Sequence, residues 1–149
     1  MAPLWTLMMD QATGTALAHR YNDDFHNRNQ SELAEELFAP GFRMHLAFPG
    51  IPDPLDAAGL AGIIGMFHAH FADLQHTIED VVVGEDRVAF RWSGSARHTA
   101  DFNGIPASGT AVTASGITLF RVEDGKIAEM WEQLDALGLL QQLGAVPAA

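Results

Sequence analysis

The chain has 149 residues, 48% of them apolar, with 8 basic against 19 acidic side chains and no cysteine. A chain of this length buries roughly 70% of its unfolded surface and needs no cross-links, which suits one soluble domain, residues 1–149, around one core. Without cysteine there are no disulfides, thiolate zinc sites, iron–sulfur clusters or cysteine nucleophiles, and a net charge of −11 argues against nucleic acid or anionic lipid as partners.

The apolar start, Met1 to Asp10, has no basic residue ahead of its hydrophobic stretch and no small-residue cleavage site after it, so a secretory leader is not expected. Leu55 to Phe71 is the longest apolar region. It is broken by Asp56, His68, His70 and three glycines and falls short of the roughly 20 residues needed to span a bilayer. A cytoplasmic protein without a membrane partner is expected.

Leu17, Tyr21 and Phe25 recur at i, i+4 and i+8, the stripe of a helix lying on a core. Ser31 is placed to cap a second helix, with Glu32 and Glu35 in its first turns, Leu33, Leu37 and Phe38 on its buried side, and Pro40-Gly41 as its end. Phe42 to Phe48 reads as a short strand and the proline-rich Pro49 to Pro54 as a loop. Leu60, Ile64, Phe67, Phe71 and Leu74 give a third helical stripe. Four longer strands follow, at about His76 to Val83, Arg87 to Phe102, Thr110 to Val122 and Lys126 to Leu134, separated by turn signals. A tail helix, Ala136 to Leu143, has Asp135 as N-cap and Gly144 as C-cap. Together these predict an α+β half-barrel: a cone-shaped, curved antiparallel sheet wrapped around three N-terminal helices, with a pocket between the layers.

The hairpin Val122-Glu-Asp-Gly-Lys126 predicts Val122 and Lys126 as its closing pair. That register puts Gly116, Thr118, Phe120, Ala128, Met130, Glu132 and Leu134 on the inner face, and Ile117, Leu119, Arg121, Ile127, Glu129, Trp131 and Gln133 on the outer one. Glu132 is then a lone carboxylate among apolar neighbours, where lost solvation raises its pKa and suits it to proton transfer. A second reading makes it a rim carboxylate, or the partner of Arg91 or Arg97. His98 shares parity with Val88, Phe90 and Trp92 and so faces the pocket, as an oxyanion donor or proton shuttle; the alternative is a structural histidine bonded to the loop Asn103 to Pro106. Phe67, Phe71, Phe90, Trp92, Thr118, Phe120 and Met130 are the expected substrate-contacting lining. The outer apolar side chains Ile117, Leu119, Ile127 and Trp131 predict a sheet-to-sheet homodimer.

His19, Asp23 and His26 fall at i, i+4 and i+7, a spacing that can serve zinc, but the buried stripe of Leu17, Tyr21 and Phe25 leaves them on the solvent side. No metal is expected to be needed. Gly59, Gly62 and Gly65 sit inside a helical stripe, so they read as close helix packing rather than a phosphate loop, and no nucleotide fingerprint or nucleophile elbow is present.

The runs Phe67 to Asp80, Arg97 to Gly109, Gly116 to Glu132 and Leu134 to Gly144 resemble the SnoaL-like polyketide cyclase family, within the nuclear-transport-factor-like superfamily of cone-shaped α+β folds. The resemblance implies a deep hydrophobic pocket, a homodimer, and an intramolecular aldol ring closure on a hydrophobic carbonyl substrate without metal or cofactor. It also implies an acid/base aspartate after the tryptophan of the last strand, a slot held here by Glu132 after Trp131. The histidine that accompanies it in the family falls at Thr118, while the histidine ending the second long strand matches His98. A non-catalytic binder of a hydrophobic small molecule, or a hydrolase or hydroxylase on the same cone, are the other functions this resemblance admits.

Overall fold

Asp10 opens the first helix by accepting a hydrogen bond from the Thr13 amide at 2.7 Å, which satisfies one of the donors left free at a helix start. The computed structural model describes residues 9–147; the apolar start from Met1 to Met8, and with it the expectation about a leader, lies outside them. Helix α1 (Gln11–His19) runs directly into a π-helical segment (Arg20–Asn27). The i→i+5 bonding of that segment widens each turn and makes the side-chain rotation lag. Tyr21 and Phe25 still face the core, but His26 swings inward, away from His19 and Asp23, which pair with each other in solvent. The proposed zinc-spaced set on one solvent face is therefore divided.

A 3₁₀ turn (Ser31–Leu33) and a single helical turn, α2 (Ala34–Leu37), come next, and β1 (Phe38–Leu46) begins at once. Ser31 caps nothing here. Phe38 belongs to the strand, and Pro40-Gly41 forms an irregularity inside β1 instead of a helix end. Pro40 is tolerated because β1 is an edge strand, where a missing amide donor leaves no ladder bond unmade. Helix α3 (Ala57–His70) is capped by Asp56 and buries Leu60 and Ile64. A Cβ at Gly62 or Gly65 would meet open space, so these two glycines mark no close helix contact.

The remaining strands are β2 (Phe71–Val83), β3 (Arg87–His98), β4 (Ala111–Glu123) and β5 (Lys126–Leu134), closed by α4 (Ala136–Gln142) with Asp135 as its cap. Sheet order is β1-β5-β4-β3-β2. β2 to β5 form the expected antiparallel meander, but β1 joins β5 in parallel, so the sheet is mixed rather than wholly antiparallel. Bulges curve it: the β2–β3 register shifts after Ala72 and again after Ile78, and the β4–β5 register shifts after Arg121. β3 stops at His98 rather than Phe102 because the amides of Thr99 and Ala100 turn to the carbonyl of His70 at the end of α3. The loop beyond folds Phe102 onto Phe48, Phe67 and Phe71.

At the β4–β5 hairpin the closing pair is Glu123 with Lys126, across a two-residue turn in which Asp124 (φ 50°) and Gly125 (φ 76°) both take positive φ. The adjoining bulge adds one residue, so Phe120 pairs Met130 and Thr118 pairs Glu132, with the inner face as predicted from Phe120 inward. Ile127 is the exception. The bulge turns it inside, fully buried, and removes it from the outer apolar face. On that outer face His45 is held between Asp53 and Glu129, each at 2.7 Å, and stacks on Trp131. Those two carboxylates raise the His45 pKa.

Edge-to-face aromatic contacts tie the first helical layer to the sheet, with Tyr21 5.4 Å from Phe120 and Phe25 5.1 Å from Phe38, ring centre to ring centre. Among the described residues no helix is long and apolar enough to cross a membrane. Because Phe120 is fully buried at the centre of this cluster, Phe120→Ala is expected to cost about 3–5 kcal/mol of stability, read as a lowered midpoint in denaturant titration with an unchanged slope.

Candidate active site

Between α3, the π-helical segment and the concave side of the sheet lies a cavity lined mainly by apolar groups, among them Leu46, Phe48, Leu60, Ile64, Phe67, Phe71, Trp92 and Leu139. Its volume is about 90 Å³, and it opens to solvent. Its polar groups are few: Tyr21, His26, His76, Ser95, Thr113 and Glu132. A small set of oriented polar groups in an apolar hollow is the usual make-up of a small-molecule site.

Glu132 projects from β5 into this hollow. Loss of water pushes its pKa up to about 7, against which the Thr118 hydroxyl donates a hydrogen bond at 2.9 Å that favours the carboxylate. Neither arginine considered as a partner reaches it: Arg91 pairs with Asp80 and Arg97 donates to the Gly109 carbonyl. Thr118 in turn accepts from the Trp92 indole N–H at 3.1 Å. The Trp92 ring lies flat on His76, 3.9 Å between centres and 9° between planes, and His76 is stacked on His26 at 3.9 Å. Two glycines make room for this stack. A Cβ at Gly94 would stand 2.8 Å from the His76 ring, and one at Gly116 would stand 2.6 Å from the indole of Trp92.

The π-helical segment fixes the imidazoles. Asn27 accepts from the His76 amide and donates to the His76 carbonyl, each at 2.8 Å, while Asn22 donates to the same carbonyl at 2.9 Å. This fork settles the orientation of the Asn27 amide. His26 Nδ1, 3.2 Å from the same Asn27 oxygen, is therefore the N–H, and Nε2 keeps its lone pair. Burial lowers the pKa of His26 to about 4 and that of His76 well below its ordinary value, so both rings are neutral near pH 7. The Tyr21 pKa rises, mainly from burial and further from the nearby Glu132 charge.

Of the residues singled out from sequence, Glu132, Phe67, Phe71 and Trp92 line the cavity. Thr118 is fully buried behind Glu132 and reaches the hollow only through it. Phe90, Phe120 and Met130, expected on the wall, do not line the cavity: all three are buried in the core, where Phe90 and Phe120 pack against Tyr21. His98 is sealed between Phe71, on which it stacks at 5.3 Å, and the loop after β3, where its Nδ1 meets Ser108 Oγ at 3.3 Å; its Nε2 has no partner. It does not line the cavity. Its backbone instead pairs with Gly109 and Thr110 to close the loop. His26, His76 and Tyr21 were not singled out as cavity residues. Parity from Trp92 across the β2–β3 pair would have found His76; His26 needs the π-helical phase, which periodicity does not carry. Among the described residues no cluster of three His, Asp or Glu is placed to hold a metal ion.

The profile of the SnoaL-like polyketide cyclase family matches residues 16–143. Among solved structures the chain is similar to TsrD from Streptomyces laurentii (29% identity, TM-score 0.79, covering 93% of this chain and 99% of that one). It is likewise similar to IdmH from Streptomyces antibioticus, described as a candidate polyketide cyclase (29% identity, TM-score 0.78, covering 88% and 98%). AclR from Streptomyces galilaeus, described as a candidate hydroxylase, shares the fold at 24% identity and TM-score 0.81, covering 94% of this chain and 86% of its own. No functionally curated protein matches the sequence.

The folded protein holds the Glu132 proton up to about pH 7, whereas an unfolded glutamate releases it near 4.5. The native state therefore binds more protons across that window, and what this group contributes to folding is present below pH 4.5 and lost as pH rises through about 7. Glu132→Gln removes that loss. Its melting temperature should exceed that of the parent by a margin that grows between pH 5 and pH 8; a margin constant with pH would show a carboxyl open to water.

Proposed function

Because the chain belongs to the SnoaL-like polyketide cyclase family, we propose that it is a cofactor-independent acid/base enzyme that removes a proton next to the carbonyl of a hydrophobic substrate. The observation that carries this reading is the single carboxyl in an apolar cavity, with its pKa lifted to about 7. A base so poised is half ionised at neutral pH and accepts and returns a proton with little penalty.

In this reading Glu132 takes the proton from the carbon beside the carbonyl, and the electron pair moves to the carbonyl oxygen as an enolate. The enolate carbon then attacks a second carbonyl of the same molecule, and protonated Glu132 gives its proton to the alkoxide that forms. Without the second carbonyl, return of the proton to another carbon is an isomerisation. The Tyr21 hydroxyl and the neutral His76 imidazole are the cavity donors suited to the enolate oxygen. The sealed ring of His98 supports its loop instead.

One feature favours a second reading, a binder without turnover: Thr118 stands where the resemblance places a second titrating group. Proton exchange separates the two without knowledge of the natural substrate. Hydrophobic 1,3-dicarbonyl compounds incubated with the protein in D₂O and followed by proton NMR should lose their central proton faster than in buffer. Glu132→Gln should reduce that acceleration by roughly 10²–10⁴ while binding persists. Binding without exchange in the parent protein would establish the binder.

The outer face of the sheet keeps Ile117 55% exposed, beside half-buried Leu119 and Trp131. An apolar face of this kind supports a sheet-to-sheet homodimer. Sedimentation at micromolar concentration should give twice the 16.1 kDa chain mass, and Ile117→Lys should return it to the monomer value.

A further inference from the structure

We infer that Trp92 and Thr118 form a one-way hydrogen-bond relay that reserves Oε1 of Glu132 and leaves Oε2 as the atom that exchanges a proton with the bound ligand. Both are positioning residues. The inference rests on the acid/base reading of Glu132 and adds which oxygen acts and what fixes it.

The direction of the relay follows from counting protons. An indole N–H can only donate, so Thr118 Oγ1, 3.1 Å from Trp92 Nε1, spends a lone pair as acceptor. The single hydroxyl proton must then point elsewhere, and Glu132 Oε1 at 2.9 Å is its acceptor. The reverse arrangement, with a proton on Oε1 given to Thr118, would leave the threonine proton with no acceptor among the described residues, a costly state for a fully buried hydroxyl. Thr118 is fully buried and Trp92 is 2% exposed, so water does not compete. A protonated Glu132 therefore carries its proton on Oε2.

The indole that sets this direction is itself immobilised. It is stacked on His76, whose backbone is gripped by Asn27 and Asn22, and it occupies the space that a side chain at Gly116 would fill. Three strands and the π-helical segment thus converge on the rotamer of one hydroxyl. That hydroxyl donates to the charged form of Glu132 and opposes the effect of burial.

The test uses the full chain without ligand. Infrared difference spectra recorded through a pH titration follow the Glu132 carboxyl band, identified by its loss in Glu132→Gln. In Thr118→Val the titration midpoint should move to higher pH and the protonated C=O band to higher frequency. Thr118→Ser should restore both. Trp92→Phe, which removes the indole N–H but keeps the Thr118 hydroxyl and frees its rotation, should move both in the same direction by less and broaden the band, and it carries the test if the valine variant does not fold. A midpoint and band unchanged in Thr118→Val, or in Trp92→Phe where only that variant folds, would overturn the relay. With dicarbonyl probes, the acid limb of the kcat/KM profile should follow the infrared midpoint in each variant. Infrared shifts as expected alongside undiminished proton exchange by Glu132→Gln would uphold the relay as structure and overturn its use in proton transfer.

Discussion

Burying the Glu132 carboxyl away from bulk water carries a desolvation penalty that a single hydroxyl bond only partly offsets, and much of the surrounding architecture is understandable as what makes that burial tolerable. The group sits on a central strand, between β1 and β4, so its backbone is held by pairing on both sides. Its supporting hydroxyl comes from the residue directly opposite on β4, and the donor to that hydroxyl comes from the next strand, β3. Nothing in this chain of contacts depends on a loop. Sites built on strands hold their geometry more closely than sites built on connections, and here all three members are strand residues.

The helical layer supplies what the strands cannot. β2 is an edge strand, and opposite the centre of its curve its backbone would present unpaired groups at His76. Asn27 and Asn22 complete that pairing from the π-helical segment with side-chain amides. The same segment delivers Tyr21 and His26 to the cavity, so one irregular stretch of helix both finishes the sheet edge and furnishes part of the polar lining. π-helical turns recur at functional positions because a regular helix cannot present such neighbours together.

Sequence periodicity resolved the layers and the inward parity of the last two strands, because period-2 alternation of apolar residues survives wherever a strand is half buried. It placed Glu132 among apolar neighbours even though the hairpin closes on a different pair. The two-residue turn and the adjoining bulge together displace the pairing by an even number, and parity is preserved from Phe120 and Met130 inward. What it could not resolve were features set by tertiary pairing. The parallel partnership of β1 with β5 has no local signature, and β1 begins where proline and glycine argue for an ending. Parity also does not say how far along a strand a cavity extends, which is why Phe90, Phe120 and Met130 shared the right face with Trp92 yet belong to the core. For His98 the parity was sound, but the loop after β3 folds back over it and converts an inward-facing side chain into a sealed one.

The connection between β1 and α3 runs through Pro49, Pro52 and Pro54 and is held by the clasp of His45 on Asp53, the paired backbones of Met44 and Leu55, and the packing of Phe48 against Phe67 and Phe102. Proline rings have already narrowed the conformations open to the unfolded chain, so ordering the segment forfeits less entropy than a loop of equal length without them. That saving falls on the stretch that carries Phe48, a wall of the cavity. Chain stiffness therefore adds to the packing of Phe48 and Leu55 in holding this wall of the cavity in place.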